Sequence, residues 1–175
     1  QILLRTTKQK VILFVHSMGG LISRYYIEQL NGADKVAKLI MLGTPNRGSG
    51  PLPEIREMFT KIEKGFELKL NEIKVLLGKP VEMDKALLGV AGEQLKPNSS
   101  LLETLGYKAK SNYYLIAGTK GLPKILKDPN DGAVELISAR LDGLNEGYVK
   151  EMPVNHFELH KSLKVFNQMM KFVMD

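Results

Sequence analysis

Apolar positions along the chain fall into short dense runs, separated by stretches in which they recur at helical spacing. KVILFVHS, residues 10–17, holds an unbroken apolar run from Val11 to Val15. A run of this kind, rich in Val and Ile, predicts a parallel strand buried on both faces. In GLISRYYIEQLNG the apolar residues Leu21, Ile22, Tyr25, Tyr26 and Leu30 predict a helix, and Asn31-Gly32 supplies its stop. VAKLIMLGTP predicts a second buried strand, closed by Gly43 and Pro45. Two strands joined by a helix make a βαβ unit with an expected right-handed crossover.

The pattern changes after Gly48. Pro51 and Pro53 open a segment in which Ile55, Met58, Phe59 and Ile62 share a helical face. Phe66 to Leu77 continue less regularly, Gly78 and Pro80 interrupt, and MDKALLGVAGEQL resumes the helical pattern. Residues 51–105 therefore form a helical insert, either a fixed packing layer or a cap over a site. SNYYLIAGTKG predicts a third strand, DPNDGAVELISAR a turn and an apolar stretch, and GYVKEMPV a short fourth strand. HFELHKSLKVFNQMMKFVMD predicts a terminal helix with Leu159, Leu163, Phe166, Met169, Met170 and Val173 on one side. The order β-α-β-(helical insert)-β-β-α is that of an open α/β sheet.

Composition narrows the function. The 175 residues suffice for one domain with a sizeable core. Hydrophobic and charged contents of 43% and 25% are those of a globular domain, and no apolar run reaches the roughly 18 residues of a membrane span. With no cysteine there is no disulfide, thiol nucleophile or thiolate metal site. The net charge of +6 comes from lysines spread along the chain without a dense block. That distribution describes a solvated basic surface, and no nucleic-acid partner is expected.

The chemistry concentrates where the first strand meets the first helix, at His16-Ser17-Met18-Gly19-Gly20. Strand, serine, glycine and helix are the context of a nucleophile elbow, a sharp turn that projects a serine hydroxyl from the sheet edge. A helix N-cap serine is the plainer alternative. Gly19 is expected to spare a Cβ where helix and strand approach, while Val15, where the motif has glycine, is expected to crowd the turn. The Met18 N–H, at the helix start, is the expected oxyanion donor.

A serine hydroxyl needs a base, and the base needs an orienting acid. The histidines are His16, His156 and His160. His156 lies on a loop at the same sheet edge as Ser17 and is the expected base, with His160 a packing or surface residue one helical turn further on. The ring of His16 is expected to point away from the serine's working side. Asp131, in Asn130-Asp131-Gly132, is the expected acid, with Asp128, Asp142 and Glu151 as weaker alternatives. HFELH lacks the H-E-x-x-H order of a zinc helix, and Glu158 alone makes no calcium site, so no metal is expected.

Taken together, HSMGG, LIMLGTPNRGS, NDGAVELISA, NHFELH and LKPNSSLLETL resemble the α/β-hydrolase superfamily, on its bacterial lipase and GPI inositol-deacylase-like side. The resemblance implies an α/β-hydrolase fold, with an open, mostly parallel sheet flanked by helices and a helical cap at about residues 51–105. Residues 1–175 would be the C-terminal part of a single such domain, its N-terminal strands missing. It implies a serine hydrolase that cleaves carboxylic esters, lipid or acyl esters being the expected substrates, through an acyl-enzyme, with Ser17, Asp131 and His156 catalytic and Met18 in the oxyanion hole. His16, Leu52, Phe59, Leu87 and Leu88 are the expected substrate-binding residues. No cofactor is implied. The expected partners are a small-molecule or lipid ester, with room for transient contact with a lipid surface. Upstream residues or a second chain would complete the sheet and supply a second oxyanion donor. A thioesterase or acyltransferase of the same fold, and a binding protein that keeps the fold without catalysis, are the alternatives.

Overall fold

The computed structural model describes residues 10–49, 92–121 and 129–175. Its elements are β1 (Val11–His16), α1 (Met18–Gln29), β2 (Val36–Leu42), α2 (Ser100–Leu105), β3 (Tyr113–Gly118), α3 (Leu136–Ala139), β4 (Val149–Met152) and α4 (Leu163–Met174). The strands lie side by side in chain order, β1-β2-β3-β4, and every pair is parallel. Parallel neighbours require crossovers, so the C-terminal ends of all four strands share one sheet edge. Ser17 and the loops that carry Gly43, Asp131 and His156 gather at that edge.

The dense apolar runs form strands because both faces of the sheet are covered. On one face Leu39 and Met41 of β2 pack with Tyr113, Leu115, Val149 and Ile27 of α1. On the other, Ile40 and Leu42 pack with Tyr114, Ile116 and the α4 residues Val165 and Phe172. β1 and β4 are the edge strands among the described residues, and β1, expected to be buried on both faces, is only half-buried, with Phe14 44% exposed.

Two helices depart from the expected faces. On α1 the buried residues are Gly20, Leu21, Arg24 and Ile27, while Ile22, Tyr25, Tyr26 and Leu30 are exposed. The inward stripe is therefore interrupted by a charge. Arg24 is fully buried, and its Nε donates to Glu28 Oε1 at 2.9 Å and its Nη1 to Asn46 Oδ1 at 3.1 Å. Its Nη2 donates to the carbonyls of Gly106 and Leu105 at 2.9 and 3.3 Å. Glu28 also accepts from the Tyr113 hydroxyl at 2.8 Å and pairs with Lys110 Nζ at 3.1 Å. Burial and the Glu28 carboxylate together push the Tyr113 phenol up, holding it protonated. The guanidinium joins α1 to the loop after β2 and to the end of α2.

The terminal helix begins only after Ser162, so His160 lies in a turn and not within the helix. Asn155 and Glu158 turn the chain first. The Asn155 side chain accepts from the Glu158 N–H, and the Glu158 carboxylate accepts from the Asn155 N–H, each at 2.9 Å. This is the reciprocal pattern of a capping box. It draws Leu159 into the core, and the later start of α4 then buries Val165 and Phe172. Leu163 and Phe166, expected inside, are 71% and 53% exposed, and Met170 is exposed as well.

Residues 50–91 lie outside the described residues, and with them the expected pocket residues Leu52, Phe59, Leu87 and Leu88.

Removing the Arg24 side chain strands Glu28 in the interior. Arg24→Met is expected to lower stability by about 3–5 kcal/mol, the usual cost of breaking a buried ion pair on one side. Equilibrium urea unfolding, with an unchanged m-value, checks this.

Candidate active site

Ser17 is the single residue between β1 and α1. Its backbone has φ +54° and ψ −131°, a region that side-chain-bearing residues rarely enter, at a cost of about 1–3 kcal/mol. Three hydrogen bonds hold it there. The Ser17 N–H donates to the Leu42 carbonyl at 2.9 Å. The Ser17 carbonyl accepts from the Gly20 N–H and from the Thr44 hydroxyl, both at 3.0 Å. Although Ser17 occupies the N-cap position of α1, its side chain makes no capping hydrogen bond. The hydroxyl is not spent on the helix, which separates this turn from an ordinary serine cap.

The close approach expected at Gly19 falls at Gly20. A Cβ on Gly20 would lie 2.8 Å from the Cβ of Thr44, which is itself buried, whereas one on Gly19 would meet only Val15 Cβ at 3.6 Å. The same distance shows that Val15 fits beside Gly19 without crowding. Met18 is the first residue of α1, where amide N–H groups have no intrahelical acceptor. Its side chain packs against the cluster of Leu21, Leu95, Leu102 and Leu105.

Asp131 and His156 meet at the tip of β2. Asp131 is buried in the loop between β3 and α3, and its Oδ1 accepts from the N–H groups of Ala133 and Val134 at 2.9 and 2.7 Å. Its Oδ2 lies 2.8 Å from His156 Nδ1, and its carbonyl accepts from the His156 N–H, also at 2.8 Å. The side-chain bond requires a proton on Nδ1, which leaves Nε2 with its lone pair. Nε2 is buried and has no hydrogen-bond partner among the described residues, so the Ser17 hydroxyl is not bonded to it here.

Two glycines make room for this pair. A Cβ on Gly43, which has φ +54°, would lie 2.9 Å from Asp131 Oδ2 and 3.1 Å from His156 Nδ1. One on Gly118 would lie 2.7 Å from Asp131 Cβ. The other acids considered are engaged elsewhere. Asp142 pairs with Arg47 at 2.6 Å and Glu151 with Arg140 at 2.8 Å, while Asp128 lies outside the described residues.

The three histidines form a cluster that no spacing rule in the sequence announces. The His16 ring, expected to turn away, lies with its centroid 4.5 Å from that of His156 and 4.8 Å from that of His160. Its Nε2 lies 2.9 Å from the His156 carbonyl oxygen. Burial, and after it the neighbouring His156, push the His16 pKa down from 6.5 to about 4. His160 is lowered in the same direction by burial, Lys161 and His156. Glu158, near His156 in the chain, is held low first by the Asn155 N–H, and Lys120 lies 3.6 Å from it. Among the described residues no group of three or more His, Asp or Glu side chains has an arrangement suited to a metal ion.

With the sheet and this cluster in place, comparison with known proteins gives the class. A family model described as "alpha/beta hydrolase fold" matches residues 1–86. The structure is similar to that of the Bacillus licheniformis lipase BlEst2 in its mature form, with TM-score 0.52 and 20% sequence identity over 93% of this chain. It is similar at the same identity and coverage to the propeptide form of that lipase, with TM-score 0.50. The chain spans 65% of the mature lipase chain and 36% of the propeptide-form chain. These matches give the chain an α/β-hydrolase fold.

The lowered pKa of His16 has a consequence for stability. Its folded value of about 4 lies below its unfolded value of 6.5, so the unfolded chain takes the proton first as pH falls. The contribution is fully present above pH 6.5 and is lost as pH falls towards 4, amounting to about 3 kcal/mol. His156, His160 and Asp131 face the same ring. Urea unfolding of wild type and His16→Gln at pH 7.5 and 4.5 is expected to show the steeper loss in wild type.

Proposed function

We propose that this chain is the catalytic portion of a serine hydrolase that cleaves carboxylic esters. The observation that carries the proposal is the buried Asp131–His156 pair, with Nε2 unpartnered, at the same strand edge as the strained Ser17 turn. In this reading Ser17 attacks the ester carbonyl and His156 Nε2 takes its proton. Asp131 holds the imidazole in the required tautomer and balances the imidazolium that forms. The Met18 N–H, at the positive end of α1, donates to the tetrahedral oxyanion. The alcohol leaves with the proton from His156, and water activated by the same nitrogen releases the acid from the acyl-enzyme.

In this reading the Ser17–His156 hydrogen bond forms when substrate binds. Catalytic hydrogen bonds that are open in a free enzyme commonly tighten when substrate binds. A lipid or acyl ester is the proposed substrate class, in keeping with the lipase among its structural relatives. The second oxyanion donor is assigned to upstream residues or a second chain. Leu52, Phe59, Leu87 and Leu88 are assigned to the acyl pocket, and Met18 next to the elbow packs on the buried cluster of Leu95, Leu102 and Leu105.

Covalent labelling by a fluorophosphonate tests the nucleophile. Wild type is expected to be labelled at Ser17, with labelling abolished in Ser17→Ala. A series of p-nitrophenyl esters then reads turnover, and Asp131→Asn is expected to lower kcat by about 10³–10⁴-fold, since the amide favours the wrong tautomer of His156. A protein that binds the probe nowhere, or at another serine, would defeat the proposal.

A further inference from the structure

We propose that His16 is a positioning residue for His156, holding the histidine loop through the His156 carbonyl so that Nε2 stays turned towards the elbow. The inference rests on the serine-hydrolase reading above and extends it to a residue that touches neither substrate nor proton in that cycle.

His16 immediately precedes Ser17 on β1, so the strand end that sets the serine also sets this ring. Its Nε2 is 2.9 Å from the His156 carbonyl oxygen, and only an Nε2–H tautomer can donate there. The carbonyl belongs to His156 itself, so the bond restrains the backbone from which the imidazole projects. The His156 ring is then bounded on two sides. Asp131 Oδ2 holds Nδ1 at 2.8 Å, and the His16 ring lies against it at 4.5 Å between centroids with a 46° tilt. His160 supports the His16 ring in turn, at 4.8 Å and 53°.

The arrangement also suits the charge that develops. Burial keeps His16 neutral down to about pH 4, so no second cation stands beside His156 when it takes the serine proton. Engaged in this way, His16 Nε2 is occupied by the His156 carbonyl, and the proposal gives His16 a positioning role in place of the substrate-binding one expected from the sequence. The size of the expected effect follows from geometry, since displacing a catalytic group by about 1 Å costs on the order of a hundredfold in rate.

Two variants separate the hydrogen bond from the ring. His16→Gln returns an N–H donor to the place of Nε2, and His16→Phe keeps a ring without a donor. With a soluble p-nitrophenyl ester, His16→Phe is expected to lower kcat about tenfold or more with KM within about twofold, and His16→Gln to retain kcat within about threefold. A second measurement needs no turnover. The low-field proton resonance of His156 Nδ1–H, bonded to Asp131, is expected in wild type and His16→Gln and is expected to broaden or shift in His16→Phe. Wild-type kcat and an unchanged resonance in His16→Phe would overturn the proposal. So would a loss confined to KM, or equal losses in both variants accompanied by a lowered unfolding midpoint. Wild-type protein without esterase activity would defeat the hydrolase reading alone, and the resonance would still decide the role of His16.

Discussion

The candidate site depends on one backbone constraint: Ser17 must end a strand, reverse the chain and start a helix within a single residue. It does so at φ +54°, a conformation that local energetics disfavour. The tip of β2 supplies what holds it. The Leu42 carbonyl takes the Ser17 N–H, and the Thr44 hydroxyl donates to the Ser17 carbonyl. The approach of Thr44 to α1 is close enough that Gly20 has no room for a side chain. One residue beyond Leu42, Gly43 bends the chain away, and the space it leaves is filled by the Asp131–His156 pair. A single strand end thus props the serine turn and leaves room for the acid and the imidazole.

The buried charges of Asp131 and Arg24 are each met by several partners at once. Asp131 receives two backbone N–H groups on one oxygen and His156 on the other. Arg24 spreads its donors over Glu28, Asn46 and the carbonyls that end α2. An unpaired charge in either place would carry a desolvation penalty of several kcal/mol, so each network is intolerant of partial loss. The two serve different ends. The Arg24 network ties α1, which carries the elbow, to its surroundings, whereas the Asp131 network aims an imidazole. His156 Nε2 is one of three buried polar atoms without a hydrogen-bond partner among the described residues, with Glu28 Oε2 and Arg47 Nε, and it alone lies in the candidate site.

The strands, their order along the chain and the elbow were legible because each rests on local pattern. Val11 to Val15 and Leu39 to Leu42 are dense apolar runs and both form strands, but only β2 is largely buried, whereas β1 is half-buried with Phe14 exposed. Ser17, Asp131 and His156 could be named from their residue types, from the strand ends they follow and from family resemblance. The inward faces of the helices were less legible. Apolar spacing along α1 allows two adjacent stripes, and the inward one contains Arg24, which hydropathy places outside. Asn155 and Glu158 form a capping box visible in the sequence as N-H-F-E, yet its effect, a delayed start of α4 and a rotated face, follows from packing.

By itself, then, the amino-acid sequence determined the alternation of elements, the serine turn and the chain order of serine, acid and imidazole. These depend on neighbours within a few residues, or on order alone. Only the tertiary structure decided that Gly20 and not Gly19 takes the close approach, that Gly43 opens the space for Asp131 and His156, and that the His16 ring lies between those of His156 and His160. Those are contacts between atoms up to 140 positions apart in the chain, as with the His16 ring and the His156 carbonyl. No periodicity encodes such distances, because they arise from how separate strand ends come to share one edge of the sheet.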